Sequence, residues 1–214
     1  MFIKKHVLTK ILGLQIVLLL VCSALSFAQA EVVVRTKPLI EQNGLVFKDL
    51  NGNGKLDPYE DWRLSAEERT QDLLEQMTLI EKIAQMQHPT FVPKADGSAP
   101  AFLERWMSES NVGFVLVRDL PGAKAAALTM NQIQEWSEDS RLGIPVVVSM
   151  DSVHGLSYVN GGLVHPHNLG LAASRNTELV RQLSEAGRLE HLAIGVRMTL
   201  SPEADIATEP RWGR

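Results

Sequence analysis

A single cysteine, Cys22, in 214 residues leaves no disulfide framework and no Cys-rich zinc site. Basic blocks are also missing. Lys and Arg number 21 against 25 Asp and Glu, a formal net charge of -4. A balance of that sign argues against nucleic acid as a partner. No internal repeat, low-complexity tract or H-E-x-x-H metalloprotease signature is present. What remains is a chain that is 45% hydrophobic and 21% charged, the profile of a soluble globular protein. It is long enough for one domain with a real core.

The first thirty residues stand apart. Lys4, Lys5 and Lys10 precede an apolar run from Ile11 to Leu25, and Phe27-Ala28-Gln29-Ala30 closes it with an A-x-A pattern. This is the order of a secretory signal peptide, cleaved after Ala30. The competing readings are a membrane anchor and a lipoprotein. The run is short for a span of about 20 apolar residues, and Val21 is bulky for the position before a lipidated cysteine. Cleavage leaves a cysteine-free acidic chain suited to the periplasm or the exterior of a bacterium, with no membrane association.

Residues 31–64 read as an N-terminal arm, extended or irregular up to position 48, with Pro38 and Asn43-Gly44 as breakers. Residues 65–214 change character. Ser65-Ala66-Glu67-Glu68 is a capping box, followed by Ala66, Leu73, Leu74 and Met77 on one helical face. Thr78-Leu79-Ile80-Glu81 is a second, with Ile80, Ile83, Ala84 and Met86 as its apolar side. Val112–Val117 is a short apolar strand. Residues 123–138 return to helical spacing through Ala126, Met130, Ile133 and Trp136. Ile144–Met150 is the strongest strand. Asn176 caps a helix expected to bury Leu179, Val180, Leu183 and Ala186, and Val196–Leu200 is a third strand. Alternating strands and helices with continuous apolar strands predict parallel βαβ units in an α/β fold. Three strands do not close a barrel.

Parallel α/β folds place their sites at the carboxyl ends of strands. Asp151 follows the strongest strand directly, where it serves either as a ligand-facing carboxylate or as a cap or structural ion pair. Glu203, Asp205, Glu209 and Arg211-Trp212-Gly213-Arg214 follow the last strand. An arginine fork bridges hydroxyls or holds a carboxylate, and a tryptophan offers a flat face to a sugar ring. The competing reading is a loop stapled by ion pairs. His154, His165, His167 and His191 lack the ligand spacing of a zinc site. A hydrogen-bonded loop around Pro166 fits His165–Asn168 better.

The segment from Asp49 to Glu60 carries a separate signal. Asp49, Asn51, Asn53, Gly54, Asp57 and Glu60 fit D-x-[DN]-x-[DN]-G-x5-E. Calcium takes six to eight oxygens at such spacing, with the Lys55 carbonyl among them, and would act as a structural ion. A plain Asn-Gly turn explains the same residues.

Taken in order, several stretches resemble the N-terminal part of family 3 glycoside hydrolases, the β-glucosidase and exo-glucanase group. They are Tyr59-Glu60-Asp61, Met77-Thr78-Leu79, Glu81–Met86, Ile144-Pro145, Asp151-Ser152-Val153-His154-Gly155, Pro166-His167-Asn168, Gly170-Leu171, Ser201-Pro202 and Glu209–Arg214. They cover roughly residues 55–214. The resemblance implies an incomplete (β/α)8 TIM-barrel-type domain whose full-length relative hydrolyses terminal β-D-glucosyl residues with retention, without a cofactor. By that resemblance Asp151 and Arg214 bind hydroxyls of the −1 sugar of a β-glucoside or β-glucan oligosaccharide. His165 stands where many relatives have Phe, and Glu209 where many have Asp. The family's Lys-His pair, its aspartate nucleophile and its acid/base are expected C-terminal to Arg214, so no catalytic residue is assigned within the chain. The alternative from another class is a non-catalytic sugar-binding remnant or a calcium-dependent interaction module of dockerin type.

Overall fold

The computed structural model describes residues 32–203, 206 and 208–212. The leader with its Ala30 cleavage site, Cys22, Asp205 and Arg214 lie outside the described residues.

The arm is more regular than its sequence suggested. Leu39–Gln42 (β1) and Leu45–Lys48 (β2) pair antiparallel, with Gln42 opposite Leu45. The two-residue connection, Asn43-Gly44, has positive φ at both positions (54° and 75°), the geometry that matches strand twist in a tight hairpin. Phe47 of β2 is fully buried. Its ring stacks on Trp62 at 5.5 Å, and the Trp62 indole N–H donates to the Val46 carbonyl.

Both capping boxes form. Ser65 Oγ accepts from the Glu68 N–H and Glu68 Oε2 from the Ser65 N–H at the start of Ala66–Gln76 (α1). Thr78 and Glu81 do the same for Leu79–Ala84 (α2). The apolar faces expected there are not the buried ones. In α1 no residue is fully buried and Ala66 and Leu74 are exposed; only Met77, just beyond it, is enclosed. In α2 Ala84 joins the core, but Ile80 and Ile83 stay in solvent, as does Met86 beyond the helix. The helical stripe exists, yet nothing among the described residues covers it.

Two elements of the sheet unit ahead of β4 also escaped the sequence reading. Thr90–Phe91 (β3) is only two residues long, between Pro89 and Pro93, too short for any periodicity. Ala101–Ser108 (α3) begins after Pro100 and buries Leu103 and Met107. Then come Phe114–Val117 (β4), Ala123–Glu138 (α4) and Val147–Met150 (β5). Helix α4 has the expected span. Strand β5 starts later than expected because Pro145 brings no N–H to a ladder, and the Ile144 carbonyl accepts from the Ser137 hydroxyl instead. Asn168–Ala173 (α5) is a short helix that starts at the end of the loop expected over His165–Asn168. Thr177–Ala193 (α6) is capped by Asn176, whose Oδ1 accepts from the Leu179 N–H. Its deepest residues are Gly187 and His191; Val180, Leu183 and Ala186 are half-buried and Leu179 is exposed. Met198–Thr199 (β6) is shorter than the run 196–200, although Val196 is buried.

Four strands, not three, make one parallel sheet in the order β3-β4-β5-β6. The sheet is open rather than a closed barrel. Helices α3 and α4 pack together on it, and Val115, Val117, Val148 and Met150 of β4 and β5 join Leu103, Met107, Met130 and Ile133 in the core. No helix among the described residues is long and apolar enough to cross a membrane.

Candidate functional site

The register of β4 on β5 sets Leu116 opposite Ser149, so the two strands end side by side. The residue after β4 is Arg118; the first after β5 is Asp151. Arg118 Nη2 donates to Asp151 Oδ2 at 2.6 Å, and the two side chains keep 42% and 17% of their exposure. The guanidinium lies over the Tyr158 ring, 5.6 Å from its centroid. Arg118 Nε is shut off from solvent with no hydrogen-bond partner. Asp119, in the left-handed region at φ 56°, turns the chain. Leu120 then donates to the Tyr158 carbonyl at 2.7 Å and accepts from the Asn160 N–H. The loops after β4 and β5 are thus one hydrogen-bonded unit.

Asp151 stands where the sequence put it. Arg118 and Tyr158 were missed, although Arg118 obeys the same rule that singled out Asp151, the first polar side chain beyond a buried parallel strand.

The turn after Asp151 is held from two sides. The Ser152 N–H donates to Ser201 Oγ at 3.0 Å. Ser152 Oγ lies 2.7 Å from His191 Nε2, and His191 Nδ1 lies 2.6 Å from the Gly187 carbonyl. A carbonyl only accepts, so Nδ1 carries the proton and the serine hydroxyl donates to Nε2. Gly155, at φ +72°, is where two segments meet: a Cβ there would lie 2.6 Å from the Leu163 oxygen and 2.9 Å from His165 Cδ2.

The other histidines are occupied locally. His154 Nδ1 donates to the His165 carbonyl and His165 Nδ1 to the Pro166 carbonyl. His167 Nδ1 accepts from the Leu169 N–H and caps α5. The His154 and His167 rings meet edge to face at 5.1 Å. Among the described residues no three His, Cys, Asp or Glu groups are placed to hold a metal ion.

A groove of about 610 Å³ opens beside β6, lined by Ser152, Gly155, His191, Val196, Met198 and Ser201 among others. It borders the Asp151 turn without including Asp151. Beyond it, Arg211 grips Glu209 with two charge-assisted bonds of 2.6 and 3.0 Å, which hold the Glu209 carboxyl below its ordinary range. Trp212 keeps 46% of its exposure.

The loop 49–60 folds on its own carboxylates. Asp49 accepts from the N–H groups of Asn53 and Gly54. Asp57 Oδ2 accepts from the side-chain amides of Asn51 and Asn53. Asn53 Oδ1 accepts from the Lys55 N–H. Glu60 is buried and accepts from the N–H groups of Leu50, Asn51 and Asp57. Burial pushes its carboxyl above the usual range against the pull of those three donors. Gly52 and Gly54 take positive φ, as a tight wrap of this kind demands.

Residues 78–214 match the family profile described as Glycosyl hydrolase family 3 N terminal domain. The chain is 41% identical over 220 residues to a periplasmic beta-glucosidase/beta-xylosidase of Dickeya chrysanthemi, covering 94% of this chain and 33% of that protein. Against beta-glucosidase C of Emericella nidulans it is 37% identical over 166 residues, 73% of this chain and 27% of the other. The chain therefore spans about a third or less of the length of these curated relatives. A glycoside hydrolase family 3 beta-N-acetylglucosaminidase from Paenibacillus sp. superposes with a TM-score of 0.52 over 59% of this chain and 24% of its own, at 23% identity, a likeness of fold. A profile that matches most of the chain, on a sheet of the same fold, settles the lineage: the chain belongs to glycosyl hydrolase family 3.

Proposed function

We propose that the chain is part of an exported β-glycoside hydrolase and supplies the first section of its sugar-binding face. The observation that carries this reading is the Asp151 carboxylate, fixed by Arg118 at the carboxyl end of a parallel sheet. A carboxylate fixed in place by a guanidinium presents its remaining lone pairs to hydroxyl donors. The reaction proposed for the whole enzyme is retaining hydrolysis of terminal β-D-glucosyl residues. That chemistry needs a nucleophilic carboxylate and an acid/base carboxyl about 5–5.5 Å apart. Asp151 is assigned to neither role. It orients the sugar, with Arg214 as the proposed second hydroxyl ligand.

Hydrolysis of p-nitrophenyl β-D-glucoside tests the reading. The 214-residue chain is expected to be inert, and a chain continued through the family's later motifs to be active. Asp151→Ala in the longer chain should lower kcat/KM. Turnover by the short chain that disappears with Asp151→Ala would overturn this division of labour.

Export rests on the basic start, apolar run and A-x-A site, supported by relatives named as periplasmic in Dickeya chrysanthemi and Salmonella typhimurium. An intact Met1 start in protein recovered from the periplasm would sink it. For the loop 49–60 we propose a structural calcium ion. Its candidate ligands are all oxygen, as a hard cation requires, and binding would turn the Asp49, Asp57 and Glu60 carboxylates away from the N–H and amide donors they hold here and bring them together.

A further inference from the structure

We propose that Arg118 is a further sugar-binding residue, forming with Asp151 a donor–acceptor clamp for one pair of neighbouring hydroxyls, with Tyr158 fixing the plane of the fork. The inference rests on the reading of Asp151 as a hydroxyl ligand. Arg118 uses one of its donors, Nη2, on Asp151 Oδ2. Among the described residues Nη1 and Asp151 Oδ1 take no partner. Both belong to side chains that keep part of their exposure at the strand ends.

A hydroxyl is donor and acceptor at once, and two hydroxyls on adjacent carbons of a sugar present both functions a short distance apart. One accepts from Nη1 while its neighbour donates to Oδ1. The ion pair therefore complements a diol where an isolated carboxylate would read only donors. The buried, unpartnered Nε adds to the case. A charged N–H without an acceptor is costly to bury, and such a group in a folded chain calls for an explanation, which a role at the site supplies. Its place is kept by the Tyr158 ring, 5.6 Å from Cζ, and Tyr158 is locked by its carbonyl to the Leu120 N–H. Arg118 thus reaches the site on a braced loop and not as a free surface arginine.

The experiment is a cycle between protein and ligand. Affinities of methyl β-D-glucopyranoside and its 2-, 3-, 4- and 6-deoxy analogues are measured by saturation-transfer NMR on the wild-type chain and on Arg118→Ala, Arg118→Lys and Asp151→Ala. Thermal unfolding confirms that each variant is folded. Arg118→Ala should weaken the parent glycoside by about tenfold or more, the scale of one charge-assisted hydrogen bond. Arg118→Lys, which keeps the charge and loses the fork, should restore part of it. The decisive result is that the Arg118→Ala penalty vanishes for the deoxy analogue lacking the clamped hydroxyl, and that the analogue in which Asp151→Ala loses its effect lacks the same or the adjacent group. A penalty equal across all analogues, or none, overturns the clamp while leaving Asp151 as a ligand. Failure of Asp151→Ala to affect any glycoside, or no binding by the wild type, removes the underlying reading and the clamp with it.

Discussion

The Tyr59 hydroxyl donates to the Leu142 carbonyl, 3.2 Å away across 83 positions of sequence. Both groups are buried, and the contact joins the end of the 49–60 loop to the corner between α4 and β5. Burial is the main cause that drives the Tyr59 phenol far above its ordinary range, with the adjacent Glu60 next. The arm is therefore clasped to the sheet unit by a neutral, enclosed donor.

The clasp has a second point at Gly143. It sits at φ +59°, and a Cβ would lie 2.6 Å from the Leu50 oxygen. Gly143→Ala is expected to cost at least about 1–3 kcal/mol from the left-handed backbone alone. At roughly 2–4 °C per kcal/mol for a chain of this size, the midpoint of thermal unfolding should fall by several degrees. An unchanged midpoint would mean that the arm docks elsewhere in solution.

Arg141 should govern acid stability. Its fork bonds both oxygens of the nearly buried Glu81 carboxylate, at 3.0 and 2.5 Å, and also reaches the Gln76 carbonyl. The pair holds the Glu81 carboxyl below its ordinary range. The sign follows: a depressed folded value gives stability that is present above the unfolded range, about pH 4.3, and lost as pH falls through the folded value. Arg141→Ala should cost about 1–2 kcal/mol at pH 7, discounted because the arginine is half exposed. Urea unfolding at pH 7 and again at pH 3 should show the gap to wild type shrinking at the lower pH. A gap that widens contradicts the assignment.

Calcium is expected to raise the unfolding midpoint of the wild-type chain, since a ligand bound only by the folded state stabilises it by about 2.7 kcal/mol at a hundredfold excess over Kd. Glu60→Ala should remove the response by deleting the bidentate ligand of such loops. An equal calcium response in both proteins would place the ion elsewhere.

The uncovered face of α2 should dominate the colloidal behaviour of this chain. Ile80, Ile83 and Met86, spaced three apart, keep 66%, 48% and 83% of their exposure, an apolar stripe of the kind that drives association. Ile80→Lys should change unfolding free energy by no more than about 0.5 kcal/mol and lower aggregation measured by light scattering. A large loss of stability would show that Ile80 is packed in solution.

What the sequence made legible follows from what each element has to do alone. Helix α4 and the caps at Ser65, Thr78 and Asn176 were readable because their signals lie within a few residues. Strands β4 and β5 were readable because they lie in almost continuous apolar runs, broken only by Ser149. Strand β3, two residues between prolines, has no local signature and exists through its pairing with β4. The faces of α1, α2 and α6 were misjudged for the opposite reason: periodicity says which side is apolar, and only neighbours decide whether that side is covered. At the site, Asp151 was visible as the polar residue after the clearest strand. Arg118 followed a shorter apolar strand, and a lone arginine before Asp119 reads as ordinary surface charge until the register sets it beside Asp151.

The strand order β3-β4-β5-β6 repeats the order of synthesis. Each new βα unit meets a sheet edge already laid down by the unit before it, so no strand waits for a distant partner. Every parallel pair still closes over at least one intervening helix, a non-local contact that forms slowly, but a chain folding from its N-terminal side meets those partners in order. The carboxyl-end loops mature in the same sequence: Arg118 is in place before Asp151 emerges, and the anchors Ser201 and His191 that steady the Asp151 turn arrive only with the last unit. The Asp151 turn is thus finished later than the strand that carries it.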